Sequence, residues 1–437
     1  MLRSATFFIS TALIVADSSG SYDDEAAALV SWLRSQKGFF NSKLEFRRVD
    51  PDDSESSLAL FTTSDIAKRE VLFNVLMDSC IIPSEEATQS GSLDCNAVLN
   101  LAKEMRLGSD SKYAPLTDFL LHTQSPNQLP SAWSEAGQSL LLKILGKNDD
   151  GKQILPPYDP IGWVTGDWHD DCDGSNDPLE EFAATLVVQH IFDKSIIPID
   201  TSMRHRNGKW LNTESTYNGS AEEGTRGIEI YASRAIKAGE EIYKSENLCE
   251  DCGDRKNSYG TPEILRDRGV VEQYPQRWFF VDQNVSFEID EVYDDDGVAT
   301  GTYKMKWIGD TPNEDNIELL KQEYDRLVDL SDATYDPEDM IPPTEWTVIK
   351  AYYEAMLLAM SAAKSAVEKL DVDNLLKCSK EGTCDVAFDR YEDLNEGPVD
   401  LDLEGYQGMS CDMSGWFPWD GVVSVLTVID NLSHHAS

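Results

Sequence analysis

The sequence predicts an α+β chain: a β-rich first domain with a helical subdomain inserted between its strands, and a helical lobe towards the C-terminus. Three observations carry this. Residues 44–49 and 58–83 show the alternation and β-branched content of short strands. Residues 96–106, 114–123 and 131–147 then place apolar side chains at helical spacing. Residues 345–370 carry the strongest apolar helical stripe in the chain.

In order, residues 26–40 read as a helix stopped by Gly38. The strand at 44–49 follows, then an acidic loop, then two strand-like pieces on either side of residues 65–69. Beyond the inserted helices, residues 156–177 read as a solvated polar connector, and 178–192 as a further helix. Their Asp content matches no spaced calcium-ligand set, so no metal is expected. Strands and an aromatic cluster are expected over 272–292, a helix over 316–330, and a strand at 422–429 in an acidic, Cys-containing tail.

Composition limits the partners. The 37 Lys plus Arg stand against 79 Asp plus Glu, a net charge of −42 over 437 residues. Such a field repels nucleic acid and anionic membrane surfaces and favours a basic protein partner. Residues 5–16 form an apolar run behind Arg3, followed by small residues; this reads as a signal peptide over 1–20 and is too short for a membrane span. Eight cysteines and the sequons at Asn218, Asn284 and Asn431 agree with the secretory pathway, either the ER lumen or secretion. Cys249 and Cys252 form a CxxC that a disulfide explains better than a zinc half-site completed by Cys378 and Cys384.

The stretch from 197 to 269 runs IPIDTSMRHRNGKW, then EIYASRAIKAGEEIYKSENLC, and closes on NSYGTPEILRDRGVV. Together with DIAKREVLF and PSAW upstream, this order resembles a SET domain of the Rubisco large-subunit methyltransferase-like class. The resemblance covers about residues 26–370, and it implies a SET domain over 26–280 with its helical insert at about 90–192, a lobe over 281–375 and a tail over 376–437. It also implies S-adenosylmethionine as cofactor and a protein lysine as methyl acceptor.

Carried over residue by residue, the family's cofactor-binding glycine region falls on Ala59, Leu60 and Phe61, and its Asn-His pair on Arg204 and His205. Its catalytic tyrosine falls on Glu246, with Tyr259 as a candidate substitute 13 residues later, and late aromatic positions are taken by Arg268 and Val270. Alanine lacks the conformational freedom of glycine, and an arginine cannot accept a hydrogen bond as asparagine can. Two functions follow: a protein-lysine N-methyltransferase with weakened or lost activity, or an inactive SET-fold module that binds a protein in the secretory pathway.

Overall fold

The computed structural model describes residues 22–51, 56–77, 82–83, 93–192, 195–220, 226–248, 258–294, 297–309, 314–332 and 341–368. The signal-peptide run, the CxxC at 249 and 252, the sequon at Asn431 and the strand expected at 422–429 lie outside the described residues. The chain folds as the α+β protein expected, with the elements in the expected order.

Helix α1 (Tyr22–Ser35) leads into strands β1 (Phe39–Phe40), β2 (Leu44–Arg48), β3 (Leu58–Thr62) and β4 (Val71–Leu76). β2 and β3 pair antiparallel, while β4 lies between β1 and β10 (Gly227–Ala232), with β9 (Thr213–Asn218) on the far side of β10. Short strands β5 (Ile82–Pro83), β6 (Ile191–Phe192) and β7 (Ser195–Ile196) form a separate three-stranded sheet. Between β5 and β6 stands the helical insert: α2 (Cys95–Leu107), α3 (Ala114–Thr123), α4 (Glu135–Leu145) and α5 (Pro178–His190).

Local chemistry explains the helix ends. The Asp94 carboxylate accepts from the Ala97 N–H at 2.9 Å, and Gly108 closes the same helix at φ +52°, a backbone region that L side chains rarely adopt. Ser134 caps α4 by accepting from Gly137 N–H, and its own hydroxyl donates to Glu345 Oε2 at 2.6 Å. That second bond pins the start of α4 to the start of the last helix, α8 (Pro343–Glu368).

Two hydrophobic clusters result. The first joins α1, α2, α3 and α5 to the main sheet around Leu29, Phe73, Phe119 and Ile230. The second gathers α4, helix α7 (Glu314–Asp332), α8 and the meander β12 (Gln276–Phe280), β13 (Val285–Tyr293) and β14 (Ala299–Trp307) around Trp278, Phe287 and Tyr352. The boundary expected at 280/281 falls inside this meander, and α4 of the insert packs with the later cluster.

One expectation is corrected. Residues 156–177 are not a solvated connector: a helical segment with i to i−5 bonding runs over Trp163–Asp171, and Trp168 is only 1% exposed. Cys172, at its end, forms a disulfide with Cys95 at the start of α2. Trp163 Nε1 donates to Asp267 at 2.9 Å. The Asp-rich composition hid two anchoring tryptophans, which supply the apolar area that the flanking acids do not.

Candidate functional site

Two very short strands build the site. β8 (Arg204–His205) and β11 (Tyr243–Lys244) run parallel, pairing Arg204 with Tyr243 and His205 with Lys244. Side chains alternate across a strand, so Arg204 and His205 leave in different directions. Helix α6 (Thr261–Arg268) closes the site from the other side. Its cap, Gly269, has φ +67°, and a side chain there would collide with the Gln128 carbonyl. Between them opens a cleft of about 290 Å³, whose wall includes Leu58, Gln189, His190, Arg204, His205 and Glu246.

Of the expected cofactor-binding residues, Arg204 and His205 line the cleft. Ala59, Leu60 and Phe61 lie in β3, buried, and the cleft is reached instead by Ser57 and Leu58 just before them. Leu60 O accepts from Ile242 N–H, and the Arg47 guanidinium rests 3.9 Å from the Phe61 ring centroid. Of the expected catalytic pair, Glu246 lines the cleft, while Tyr259 is 4% exposed and does not.

His205 is held by hydrogen bonds on both ring nitrogens. Nδ1 accepts from the Glu246 N–H at 3.0 Å, so in this tautomer the proton sits on Nε2, which donates to Glu272 Oε1 at 2.7 Å. The same carboxylate oxygen accepts from Asn207 Nδ2 and Asn247 Nδ2, at 2.9 and 3.0 Å. Its Oε2 accepts from Thr261 Oγ at 2.6 Å. Glu272 is therefore the hub joining β8, the turn after β11 and α6. A buried carboxylate with this many donors is fully compensated.

Arg204 makes a two-pronged salt bridge with Glu241, Nε to Oε1 and Nη2 to Oε2, both 2.6 Å. Burial would lower the guanidinium pKa, but the bonds to Glu241 outweigh it and raise it. The Arg204 charge is thus paired within the protein.

Glu246 sits in a charged chain. Arg268 Nη2 lies 2.6 Å from one carboxylate oxygen and Lys244 Nζ 3.0 Å from the other, and Lys244 also meets Asp200 Oδ2 at 2.5 Å. Burial would raise the Glu246 pKa, but Arg268 and Lys244 prevail and hold it far below the usual carboxylate range. Lys244, despite burial, is raised by Asp200 and Glu246. Burial, then Arg268 and Lys244, pull His190 down to about 3, so it is neutral at physiological pH. Tyr259 stands close enough to Arg268 to favour its charged form, yet it is not among the residues that line the cleft.

Sequence reasoning did not single out Lys244, Glu272, Asn207, Asn247 or His190. The first and last differ from ordinary surface residues only through burial. Glu272 lies 67 residues from the histidine it holds, and no spacing rule links them.

Among the described residues no group of His, Cys, Asp and Glu is placed to hold a metal ion, and no helix is long and apolar enough to cross a membrane. No curated protein matches this chain. Among solved structures, the SET domain of LSMT bound to lysine and AdoHcy is similar at 13% identity, covering 80% of this chain and 92% of that one, with a TM-score of 0.45. Rubisco LSMT bound to sinefungin and monomethyllysine is similar at 12% identity, with the same coverage and TM-score 0.45. The family model of the SET domain matches residues 57–245, a span that holds β3, the helical insert, β8 and β11, and this part of the chain is a SET domain.

Proposed function

We propose that this SET-domain protein shares the architecture of S-adenosylmethionine-dependent protein-lysine N-methyltransferases but has lost methyl transfer, and acts as a binding module for a basic protein in the secretory pathway. The observation that carries this reading is the Arg268–Glu246–Lys244 chain at the position of the family's tyrosine.

Methyl transfer to lysine is mostly positioning: a neutral amine must approach the methyl group in line, in a site closed to water. Glu246 already serves two internal cations. Their bonds leave it no driving force to take a proton from an incoming ammonium, because the carboxylate is held ionised. Tyr259 is buried and does not line the cleft.

The cleft wall still fits a polar nucleoside-like ligand. Gln189 Oε1, Thr201 Oγ and Ser202 Oγ belong to cleft-lining residues and are buried with no hydrogen-bond partner, which a ligand or water would supply. Ser57, Leu58, Arg204 and His205 would hold S-adenosylmethionine, which when bound supplies an electrophilic methyl group. Glu241 keeps Arg204 neutralised as a pair, and Glu272 keeps the His205 ring fixed.

Titration calorimetry of the full chain with S-adenosylmethionine and S-adenosylhomocysteine, beside transfer of a labelled methyl group to basic proteins, tests the reading. Binding without transfer is expected. Transfer at a rate above that of the protein-free control would overturn it. For the compartment, the apolar run at 5–16, the sequons and the Cys95–Cys172 disulfide support an oxidising, secretory setting. Retention in the cytosol of a cell expressing the full chain would refute that part.

A further inference from the structure

Beyond the cleft wall, β8 leads into a tight turn, Gly208–Trp210, that faces strand β13. Two aromatic rings meet there: Trp210 and Tyr293 stand edge to face, centroids 5.7 Å apart at 68°. The ammonium of Lys209 sits 3.5 Å from the Tyr293 ring centroid and 4.9 Å from that of Trp210. Lys209 is exposed, and among the described residues no carboxylate oxygen lies within 4.0 Å of its nitrogen. The rings, rather than an ion pair, hold the charge.

The rings themselves are held by a second cation and an acid. Arg206 stacks 3.8 Å from the Trp210 ring and donates from Nη2 to the Tyr293 hydroxyl at 3.2 Å. That hydroxyl donates in turn to Glu291 Oε2 at 2.9 Å. Asp290 lies close enough to feel both Lys209 and Arg206. The result is a rigid aromatic corner with two acids beside it.

We propose that Trp210 and Tyr293, backed by Asp290 and Glu291, form a cage for a quaternary ammonium group, and that Lys209 fills it in the absence of ligand. Edge-to-face rings with nearby acids attract cations through the ring quadrupole, and the attraction is greatest where the cation sheds its water readily. A primary ammonium is strongly hydrated, so a partner's unmodified lysine gains nothing over Lys209, which is already tethered at the site. A trimethylated ammonium is weakly hydrated and displaces it. The acidity of the whole chain, net −42, favours a basic peptide carrying that group over a free small cation. The source proposed is therefore a trimethyllysine peptide of a basic protein. This site is separate from the cofactor cleft and does not depend on the reading above.

The experiment uses the full chain and follows tryptophan fluorescence and calorimetry. The probes are a basic peptide with lysine, the same peptide with trimethyllysine, phosphatidylcholine vesicles and tetramethylammonium. Trimethyllysine peptide is expected to bind at least about tenfold tighter than its unmodified form, the equivalent of about 1.4 kcal/mol. Lys209→Ala, a change at an exposed position, should tighten that binding further, while Trp210→Ala and Tyr293→Ala abolish it and Tyr293→Phe retains most of it. A tighter response to the vesicles would assign the cage to a lipid headgroup and overturn the peptide source. If Lys209→Ala shows no preference for the trimethylated peptide or for tetramethylammonium over lysine, there is no cage.

Discussion

Arg268 and Glu246 form a salt bridge of 2.6 Å inside the cleft wall, between the end of α6 and the turn after β11. Each side chain is less than one-fifth exposed. The pair therefore belongs to the architecture of the site.

Removing one member of such a pair strands the other. Arg268→Ala should destabilise the protein by about 3 kcal/mol, read as a shift in the denaturant midpoint, because Glu246 keeps only Lys244. Arg268→Met with Glu246→Leu should cost less than the sum of the single changes. Additive single and double effects would show that the pair is not coupled.

The family's asparagine cannot be restored alone. Arg204→Asn leaves the Glu241 carboxylate, 6% exposed, without its guanidinium, and should cost about 3 kcal/mol. Glu241→Gln in the same background should recover most of this. Glu246→Tyr by itself is expected to yield no methyl transfer, since Arg268 would lose its carboxylate at the cleft and Lys244 would keep only Asp200; detectable transfer by that single variant would contradict this.

Two buried groups give opposing pH dependences. Burial raises Glu263, which accepts from the Gly260 N–H, from 4.5 to about 7. The folded state then binds more protons than the unfolded state between those values, so this contribution is complete below pH 4.5 and disappears as pH rises towards 7, a change of about 3 kcal/mol. His190 is lowered from 6.5 to about 3, so its effect has the opposite sign and stability rises over that interval. Between pH 4.5 and 6.5 the two offset one another. Glu263→Gln should expose a rising profile and His190→Gln a falling one; denaturation midpoints across the range decide it.

The sequons differ in surroundings. Asn284 is exposed in a left-handed turn at φ +53°, whereas Asn218 lies in β9 and donates from Nδ2 to Glu229 at 3.1 Å. Expression through a secretory pathway should glycosylate Asn284 in preference to Asn218. Mass analysis of Asn284→Gln and Asn218→Gln separates them.

The Cys95–Cys172 bond closes a long loop, with a sequence separation of 77 residues. Cys95→Ser with Cys172→Ser should lower stability by about 4 kcal/mol on the chain-entropy account. Because the bond anchors the segment whose Trp163 holds Asp267, beside Arg268, the double variant should also loosen the cleft, measured as faster amide exchange in α6.

The sequence alone determined the α+β order of elements, the helices expected at 96–106, 114–123 and 345–370, and the frame around His205 and the GEE strand, since periodicity and short motifs are local properties. It also marked positions 204, 246 and 268 as carrying the wrong side chains for the resemblance. Only the tertiary structure decided what those side chains do. Arg204 finds Glu241 at 37 residues' distance, Arg268 finds Glu246 at 22, and Glu272 gathers His205, Asn207 and Asn247 onto one carboxylate. The acidic stretch at 156–177 likewise reads as a solvated connector, yet the fold buries its Trp168. Charge pairing and burial depend on which segments the fold brings within about 3 Å, and at these separations no sequence period encodes that.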